Sequence, residues 1–409
     1  MKDFKPGNVI VNECVIKSKD GRRSYDLKLQ VHHIDIYESI MQATLYGELI
    51  IADAIGVRKG FPLIGEETLI LKFSTPSLKA IELNLRVFAI TDIQYTENNK
   101  LEMYVLKVCS PELLTNASQI MAKRYKNQIS STVQSIISTE LKSKKHVFVE
   151  DTRGIDDHLV TDLAPLQVID KLRLRAVSPK NASSSYCFYE SPNGFHFVTL
   201  EGMIREGKKK IADKVFFYDD NIDVDIKQVR FRDILNYEQV VDQNSLDKIQ
   251  AGSIKNTVTK FDIITGNIKT IDYKNEQYEN VFVNTADTPK TNTSTFQNEH
   301  GQTPAKTFLV PYSSEHDEDF IGEKVGVLHG FVEKIAQNIM HMLIYGDSTI
   351  TVGDVIACNF SLGTAIDTQK STKQITNNYL VAKVRHQITM SDRPVYLQSL
   401  ELLNSSYDY

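Results

Sequence analysis

The chain has 409 residues, enough for two to three domains of ordinary size, and its 41% hydrophobic and 24% charged residues exclude wholesale disorder. Its 47 basic residues against 52 acidic ones give a net charge of −5. This balance argues against a protein whose whole surface binds nucleic-acid phosphates, although it leaves room for a local basic groove. Four Cys lie far apart, so the sequence indicates neither a disulfide framework nor a thiolate zinc site.

The N-terminal segment and the apolar stretches argue against membrane insertion. Residues 1–12 are polar, which is not typical of a signal peptide. The apolar stretch that comes nearest to a membrane span is residues 45–55. It is interrupted by Gly47, Glu48 and Asp53 and is too short to cross a bilayer. We therefore expect no membrane anchoring, and synthesis on the cytoplasmic side.

The first 110 residues are predicted to be mainly β. Stretches of alternating or β-favouring residues predict five strands, at residues 25–31, 45–55 (with Gly47 as an internal break), 68–74, 83–95 and 100–109. The last two strands flank a turn at residues 97–99 and predict a hairpin. Several short strands separated by turns favour a β-barrel or sandwich over a parallel sheet.

Two helices are predicted after the change of character at Ser110-Pro111. Ser131 and Gln134 have the spacing of a capping box, and a second helix is predicted to begin at Pro165. The predicted buried faces of these two helices are Val133, Ile136, Ile137 and Leu141, and Leu166, Ile169, Leu172 and Ala176.

A hairpin with an aromatic core is predicted next. Residues 186–190 and 195–200 flank Asn193-Gly194, which supplies the positive φ that such turns require. Phe188 and Phe195 are expected to point into the core. With the two helices, this hairpin predicts a mixed α+β unit that ends near residue 215.

The following region is predicted to contain strands and a long loop. Residues 226–241 are compact and apolar-periodic, and residues 254–264 and 267–273 flank Thr265-Gly266 as another hairpin. Residues 281–310 are rich in Thr and aperiodic, which predicts an extended or mobile loop.

The C-terminal segment is predicted to contain one helix and three strands. The helix would have an apolar stripe, with Gly346 as its C-terminal cap. Its stripe residues are Leu328, Phe331, Ile335, Ile339, Met342 and Leu343. The strands are predicted at residues 349–360, 378–388 and 394–403.

Catalytic and metal-binding motifs are absent from the sequence. It contains no G-x-S-x-G, P-loop, H-E-x-x-H or G-x-G-x-x-G motif. His32 and His33 are adjacent, so on a strand they would face opposite sides and could not easily bind one ion. His329 and His341 lie too far apart on the predicted helix to share a site. We therefore predict no catalytic, cofactor-binding or metal-binding residue, no cofactor and no enzymatic activity.

Two dense basic runs, residues 142–146 and 208–210, are the remaining candidates for a binding surface. Both lack interleaved aromatic residues, which argues against a nucleic-acid platform. The runs favour a solvated face or a protein-docking patch.

Five stretches, taken together and in chain order, carry a recognisable pattern: residues 37–67, 186–203, 251–273, 344–356 and 379–403. In the first stretch, a strand of the form G-x-[IL]-x-[IV]-x-D is followed by I-G-E-E, at positions Gly47, Asp53, Ile64, Gly65, Glu66 and Glu67. This pattern resembles the central baseplate hub protein of contractile-tailed, T-even-like bacteriophages. The pattern also resembles the N-terminal part of type VI secretion spike proteins. Residues 281–310 match nothing in these families.

The resemblance implies a mainly β fold with α+β insertions, in which one chain carries two tube-type β-barrel domains and intervening domains. The expected boundaries are residues 1–110 for the first tube-like barrel, 111–215 for an α+β domain with the aromatic hairpin, 216–245 for the start of the second tube-like domain, 246–321 for an inserted hairpin and loop domain, and 322–409 for the rest of the second barrel. The tetrapeptides at residues 45–48 and 344–347 (LYGE and IYGD) are a weak internal echo of such a duplication.

The resemblance also implies a structural role. Three chains with two like barrels each would form a six-membered ring between the hexameric tail tube and the trimeric cell-puncturing spike. The partners would be a homotrimer, the spike protein, the tail tube protein and other baseplate subunits, and DNA would pass through the lumen without specific binding. The protein would act in the virion tail baseplate after assembly in the host cytoplasm.

Three alternatives to this role remain at this point. They are a type VI secretion spike component, a peptidoglycan-degrading tail enzyme on a similar scaffold, and a carbohydrate- or nucleic-acid-binding β module. The residues that would contact the spike or the tube are not identified by the sequence.

Overall fold

The computed structural model describes residues 5–61, 63–95, 101–180, 184–219, 230–241, 250, 252, 255–274, 306–312, 338–362 and 373–404. Most elements in this part of the chain are strands, and 13 of them form one sheet. The predicted fold class, mainly β with α+β insertions, is confirmed.

The first β unit is antiparallel throughout. It contains β1 (Ile10–Lys17), β2 (Ser24–Asp26), β3 (Val31–Ser39), β4 (Tyr46–Asp53), a single helical turn α1 (Val57–Gly60), β5 (Thr68–Ser74), β6 (Ile81–Tyr95) and β7 (Glu102–Cys109). The strands pair in the order β3-β4-β7-β6-β5-β1-β2. Alternate residues of β4 and β7 are buried in a core that includes Leu49, Ile51 and Leu106. The strands predicted at residues 45–55 and 68–74 are confirmed, as is the β6–β7 hairpin.

The strand predicted at residues 25–31 is wrong. β2 ends at Asp26, and the turn that follows leaves Leu29 94% exposed. The Asp26 carboxylate accepts the N–H of Lys28 at 3.0 Å, and this local hydrogen bond favours a turn over an extended continuation.

Gly47 does not interrupt its strand, contrary to expectation. It lies within β4, paired opposite Ile36. A Cβ at this position would lie 2.6 Å from Ile36 Cδ1 and 2.8 Å from the Asp35 carbonyl oxygen. The close approach of β3, rather than a break, explains the glycine.

The α+β portion follows β7. Its helices are α2 (Pro111–Ala117), α3 (Ile129–Ser135) with one further π-helical turn (Ile136–Glu140), α4 (Pro165–Arg175) and α5 (Leu200–Lys208), before a 3-10 turn (Ile211–Asp213). Its strands are β8 (Met121–Asn127) paired with β10 (Asp156–Leu163), and β9 (Val147–Val149), β11 (Tyr186–Ser191) and β12 (Gly194–Thr199) in the order β11-β12-β9.

Most predictions for this portion are confirmed. α4 begins at Pro165, and the β11–β12 hairpin turns where Gly194 has φ 133°. Phe188 and Phe195 are buried and stack with centroids 5.7 Å apart. The predicted helix faces are buried except for Leu166, which is only partly covered.

The capping box predicted at Ser131 and Gln134 is wrong. α3 begins two residues earlier, at Ile129, so Ser131 already lies in the first helical turn. The amide of Ser130 donates instead to Thr152 Oγ1 at 3.0 Å. This partner, 22 positions away, satisfies a free amide of the first turn, and no local pattern discloses it.

The second β unit contains β13 (Val215–Asp219), β14 (Ile234–Val241), β18 (Asn338–Tyr345), β19 (Val355–Leu362), β20 (Lys373–Thr389) and β21 (Val395–Asn404). Between β14 and β18, the strands β15 (Lys255–Asp262), β16 (Ile268–Lys274) and β17 (Lys306–Tyr312) form a separate sheet. The hairpin across Thr265-Gly266 and the strands predicted at 378–388 and 394–403 are confirmed. Of residues 349–360, only the part from Val355 onward is a strand.

The helix predicted before Gly346 is wrong in its described part. Residues 338–345 form β18, where Met340 and Met342 are buried and His341 is exposed. A short apolar run fits both a helix and a strand, and pairing with β14 and β21 decides for the strand. Gly346 is therefore not a helix cap; a Cβ there would lie 1.9 Å from the Tyr396 ring.

Parts of several predictions lie outside the described residues. These parts are the turn at residues 97–99 with residue 100 of the following strand, residues 226–229 of the apolar-periodic segment, residue 254 of the later hairpin, residues 281–305 of the loop, and residues 328–337 of the helix, including His329. Residues 306–310 of that predicted loop belong to β17, which pairs in parallel with β15.

One sheet runs through both β units, in the order β14-β18-β21-β20-β3-β4-β7-β6-β5-β1-β2. The second unit contributes β14-β18-β21-β20 and the first contributes β3-β4-β7-β6, so the two quartets have the same order and the same hairpin. In each unit the preceding strand, β19 or β5, pairs antiparallel with the N-terminal half of the hairpin's first strand. The tetrapeptide echo does not reflect this equivalence, because Tyr46 begins β4 whereas Tyr345 ends β18.

We predict that Phe195→Ala lowers the free energy of unfolding by about 3–5 kcal/mol, because it removes a fully buried ring from a packed core. Phe261→Ala removes the same side chain from a position that is 38% exposed, and should cost no more than about 1 kcal/mol. Guanidinium denaturation followed by circular dichroism measures both values. Equal costs for the two variants would contradict the assignment of Phe195 to the core.

Candidate assembly interface at the junction of the β units

The two β units meet where β20 pairs with β3. β20 is 17 residues long, and its N-terminal half pairs with β19. Its C-terminal half lies between β21 on one edge and β3 on the other. The β3 pairing is antiparallel and runs from Ser39 opposite Lys383 to His33 opposite Thr389. Two segments about 350 positions apart are thus joined by backbone hydrogen bonds.

A buried polar network crosses this junction. Glu38 and His386 are almost wholly inaccessible to solvent, and Glu38 Oε1 lies 2.6 Å from His386 Nε2. The other carboxylate oxygen, Oε2, accepts a hydrogen bond from Thr351 Oγ1 at 2.6 Å. The network therefore links β3, β20 and the loop before β19. In a low-dielectric interior such hydrogen bonds are strong, and the loss of one partner is correspondingly costly.

The far side of the histidine fixes its tautomer. His386 Nδ1 lies 2.7 Å from Tyr396 Oη and 3.3 Å from Gln398 Nε2. Gln398 Oε1 accepts the N–H of Asp347, so its amide nitrogen must face the histidine. Burial raises the pKa of Tyr396 well above its ordinary value, so its hydroxyl remains a donor. Nδ1 therefore accepts, and Nε2–H donates to Glu38.

Ion pairs continue the junction on the open face of the sheet. Arg385 donates to both carboxylate oxygens of Asp35, at 3.0 and 2.9 Å, and its guanidinium lies 5.6 Å from the Tyr37 ring centroid. The Asp35 carboxylate raises the pKa of Arg385. Lys383 pairs with Glu401 at 2.8 Å one strand further on. Beside these pairs lies a groove of about 660 Å³ across β3, β20, β21, β18 and β14.

A second contact fixes the two β units away from the shared strands. Thr75 Oγ1 donates to the Gly346 carbonyl at 2.7 Å and accepts the N–H of Ser348 at 3.0 Å. Ser348 Oγ donates to the Lys79 carbonyl at 2.7 Å. These groups are largely buried, and the polar groups of the loop after β5 and of the loop after β18 satisfy one another's hydrogen bonds.

The α+β portion is attached by a lysine that bridges two buried carboxylates. Lys145 Nζ lies 2.7 Å from Glu112 and 2.6 Å from Glu190. Glu190 also accepts the N–H of Leu45 at 3.1 Å, at the start of β4. Burial raises the pKa of the Glu190 carboxyl, and Lys145 opposes that rise. The sequence did not mark these carboxylates as a coupled pair, because they are 78 positions apart and share only a spatial partner.

The residues that carry the sequence resemblance organise loops. Asp53 accepts the N–H groups of Gly56 and Val57 at 2.7 and 2.9 Å and thereby caps α1. Glu67 accepts the N–H groups of Ile64 and Gly65 at 2.7 and 3.0 Å. Both carboxylates are buried, and their role is to replace water around free backbone amides.

The two histidines singled out by the sequence do not form a site. His32 is exposed, whereas His33 Nε2 lies 3.2 Å from Asp35 and joins the junction. Within the described ranges, no group of three or more His, Cys, Asp or Glu side chains could hold a metal ion. In the same ranges, no helix is both long and apolar enough to span a membrane.

Several strand edges of the shared sheet lack a strand partner within the described part of the chain, and two of them lie at the outer ends of the two quartets. One is the edge of β6 beyond residue 87, on the side that β5 occupies up to Arg86. The other is the edge of β14 opposite β18, where a single bridge joins Asp233, just before the strand, to Phe217 of β13. Exposed apolar side chains lie on both strands, Phe88 and Ile93 on β6 and Leu235 and Val240 on β14. An unpaired edge with apolar side chains is a template for pairing with another chain.

Solved structures with a similar fold include tail proteins, two of them from prophages. The 43 kDa tail protein of prophage MuSo2 from Shewanella oneidensis aligns over 96% of this chain and 98% of its own, at 9% identity and a TM-score of 0.56. A tail protein from Neisseria meningitidis MC58 aligns over 97% and 96%, at 8% identity and a TM-score of 0.54. A prophage tail protein from Listeria monocytogenes EGD-e aligns over the same shares, at 8% identity and a TM-score of 0.50. No protein-family model and no curated protein matches the chain.

These likenesses concern the fold. They extend over nearly the whole of each chain, so the arrangement of both β units and the intervening portion is shared with the tail proteins. At 8–9% identity they carry no information on individual residues.

We predict that His386→Ala lowers the free energy of unfolding by about 3–5 kcal/mol, because it leaves the buried Glu38 carboxylate without its partner. Glu38→Gln keeps an oxygen and should cost about 1–3 kcal/mol. Lys383→Ala removes a half-exposed ion pair of the same junction and should cost about 0–1 kcal/mol.

Urea denaturation of the three variants measures these differences. A His386→Ala cost no larger than that of Lys383→Ala would show that the buried pair does not hold the junction.

Proposed function

We propose that this chain is a structural, non-enzymatic hub of a contractile phage tail baseplate and that it functions as a homotrimer. The observation that carries the proposal is the continuous sheet across β20 and β3, which joins two units of like strand order edge to edge. A chain that holds two equivalent units edge to edge in this way can repeat the same contact with further copies of itself. The tail-protein fold of the whole chain supports the same role.

The strand directions support ring closure. All neighbours from β14 through β18, β21, β20, β3, β4 and β7 to β6 are antiparallel, so β6 and β14 run in opposite directions. β6 of one chain would therefore pair antiparallel with β14 of the next. The C-terminal half of β20 offers an edge to β3, and the equivalent half of β6 has an edge without a strand partner among the described residues. The contact between β6 and β14 of neighbouring chains would thus repeat the contact between β20 and β3 within each chain.

Three copies of two units each form a ring of six, which fits a sixfold tube on one face and a threefold spike on the other. The proposed partners are therefore the tail tube protein, the trimeric spike and further baseplate subunits. DNA would pass through the lumen without base-specific contacts. The protein would reside in the virion baseplate after assembly in the host cytoplasm, with no cofactor, catalytic residue or membrane anchor.

The proposal keeps the domain boundaries expected from the sequence. The tube-like domains would comprise residues 1–110, and residues 216–245 together with 322–409. The α+β domain would comprise residues 111–215, and the inserted hairpin and loop domain residues 246–321.

Native mass in solution tests the proposal. We expect a trimer, either for the protein alone or after co-expression with a trimeric spike, because some interfaces form only when a partner is present. A stable dimer under both conditions would overturn the hub.

We further predict that an acidic residue on the unpaired edges prevents ring closure. Ile93→Asp on β6 or Leu235→Asp on β14 should shift the trimer towards monomer, because the charge would have to be buried in the new strand pair. Ile55→Asp, a 68% exposed position in the loop after β4, is the matched control and should leave the mass unchanged. A trimer that survives both edge variants would exclude these edges as the interface.

A further inference from the structure

A basic groove lies where the α+β portion meets both β units. It has a volume of about 900 Å³ and adjoins a second depression of about 600 Å³. α5 forms one wall, the small sheet of β9, β11 and β12 forms the floor, and the loop before β19 forms the other wall. The groove depends on the packing of all three portions, since Lys79 from the first β unit donates to Asn193 of the β11–β12 turn at 3.2 Å.

Four cationic side chains line this groove: Lys79, Lys180, Arg205 and Lys210. Among the residues that the structure describes, Lys180, Arg205 and Lys210 form no ion pair within 4.0 Å. Lys210 belongs to the basic run at residues 208–210, for which the sequence favoured a solvated face or a docking patch. On a chain of net charge −5, an accumulation of uncompensated positive charge in a concave site calls for a ligand.

The carboxylates of the groove are already engaged. Glu150 accepts hydrogen bonds from Ser178 Oγ and Thr199 Oγ1, each at 2.7 Å. Glu206 pairs with Lys209 at 2.6 Å, and Asp354 pairs with Lys214 at 2.5 Å. The Lys209 hydrogen bond lowers the pKa of Glu206, and the charges of Lys210 and Lys180 lower it further. The groove therefore keeps a positive surplus after its own acids are counted.

The floor of the groove is a self-stacked row of rings. His196 stacks between Tyr189 and Phe148, with both centroid distances 4.7 Å, and His146 packs edge-on against Phe148 at 4.2 Å. Burial, followed by the nearby His146, lowers the pKa of His196 to about 4, so this ring is neutral near pH 7. The rings stack on one another, and Phe148 and His146 are the exposed members of the row.

We infer that the basic groove binds an extended acidic peptide segment of a partner protein. Its volume of about 900 Å³ suits several residues rather than one phosphate, and its four cations complement acidic side chains. A nucleic acid is disfavoured because a long polyanion would meet the net negative charge of the rest of the chain. A short acidic segment with apolar side chains would meet the cations and the rings of the groove itself. The inference rests on the proposed function in one respect only: the partner would be another protein of the same assembly.

A direct binding measurement tests the inference on the full chain. The probe is a fluorescein-labelled peptide of about ten residues, roughly 33 Å when extended, that alternates Glu with Val or Phe. Fluorescence polarisation should show binding that weakens as salt is raised. Arg205→Glu with Lys210→Glu should weaken it by at least about tenfold, because two attractive contacts become repulsive.

Matched controls separate the site from general charge. Lys17→Glu with Lys171→Glu makes the same charge change at two exposed positions elsewhere and should leave the affinity unchanged. Thermal unfolding checks that every variant is folded, and Arg205→Gln with Lys210→Gln serves as the neutral version if the charge reversal unfolds the protein. Equal weakening by the control pair would overturn the inference.

Two competing ligands complete the design. Equal or tighter binding of a single-stranded oligothymidylate with the same number of charges would overturn the inference in favour of nucleic acid. Displacement of the peptide by millimolar inorganic phosphate at constant ionic strength would overturn it in favour of a simple anion site.

Native mass is recorded on the same samples. A trimer that does not bind the peptide refutes the groove and leaves the hub proposal standing. A dimer that binds the peptide refutes the hub and leaves the groove standing.

Discussion

The antiparallel pairing of β20 with β3 is the interaction on which the rest of the molecule depends. It turns two β units into one sheet, and the Glu38–His386 pair fixes how the strands align. A slip of one residue would turn every side chain of the moved strand to the opposite face. A slip of β20 would therefore move His386 to the open face and leave the buried Glu38 carboxylate without its imidazole donor, at a cost of several kcal/mol. The same slip would turn buried apolar residues such as Val384 and Ile388 towards the open face, so packing and the polar pair favour the same alignment.

The C-terminal half of β20 pairs with β3, whereas the equivalent half of β6 has an edge without a strand partner in the described part of the chain. β20 and β6 occupy the same place in their units, yet only β20 has a strand along the outer edge of its C-terminal half in the described part of the chain. Long open edges invite uncontrolled pairing, and β6 carries two register shifts in this half, with Asp92 at φ 53°. Such bulges bend and twist the strand, so only a partner with complementary curvature pairs along its whole length.

The sequence predicted elements whose cause is local and missed those whose cause is distant. The strand at residues 68–74, the helix start at Pro165 and the hairpin at Asn193-Gly194 all follow from period-two alternation, a fixed φ or a turn residue. β18 was mistaken for a helix because its apolar run fits both periods until β14 and β21 pair with it. The cap of α3 was misplaced because Thr152, and not a neighbour, satisfies its amide.

The junction itself was beyond the reach of sequence patterns. Glu38 and His386 are 348 positions apart, and each one alone looks like a polar residue on a strand. The resemblance located the right segments, residues 37–67 and 379–403, but its motif residues Asp53 and Glu67 turned out to shape loops rather than to form the contact. A sequence pattern within one segment reflects the hydrogen bonds that the backbone of that segment requires. A contact between two distant segments can be recognised only in the folded structure.

The two basic runs, residues 142–146 and 208–210, show that sequence patterns also do not predict whether a charged side chain is paired in the folded structure. Lys145, in the run at residues 142–146, turns inward and is neutralised by Glu112 and Glu190. Lys210, in the run at residues 208–210, faces a groove whose own carboxylates are already bound. The two runs look alike in composition, yet Lys145 of the first bridges two buried carboxylates and Lys210 of the second leaves its charge in an open groove. Salt screens that available charge, so it attracts acidic groups mainly within about a Debye length, roughly 8 Å at physiological salt. The groove is therefore suited to fixing the orientation of an acidic segment that has already come within this distance.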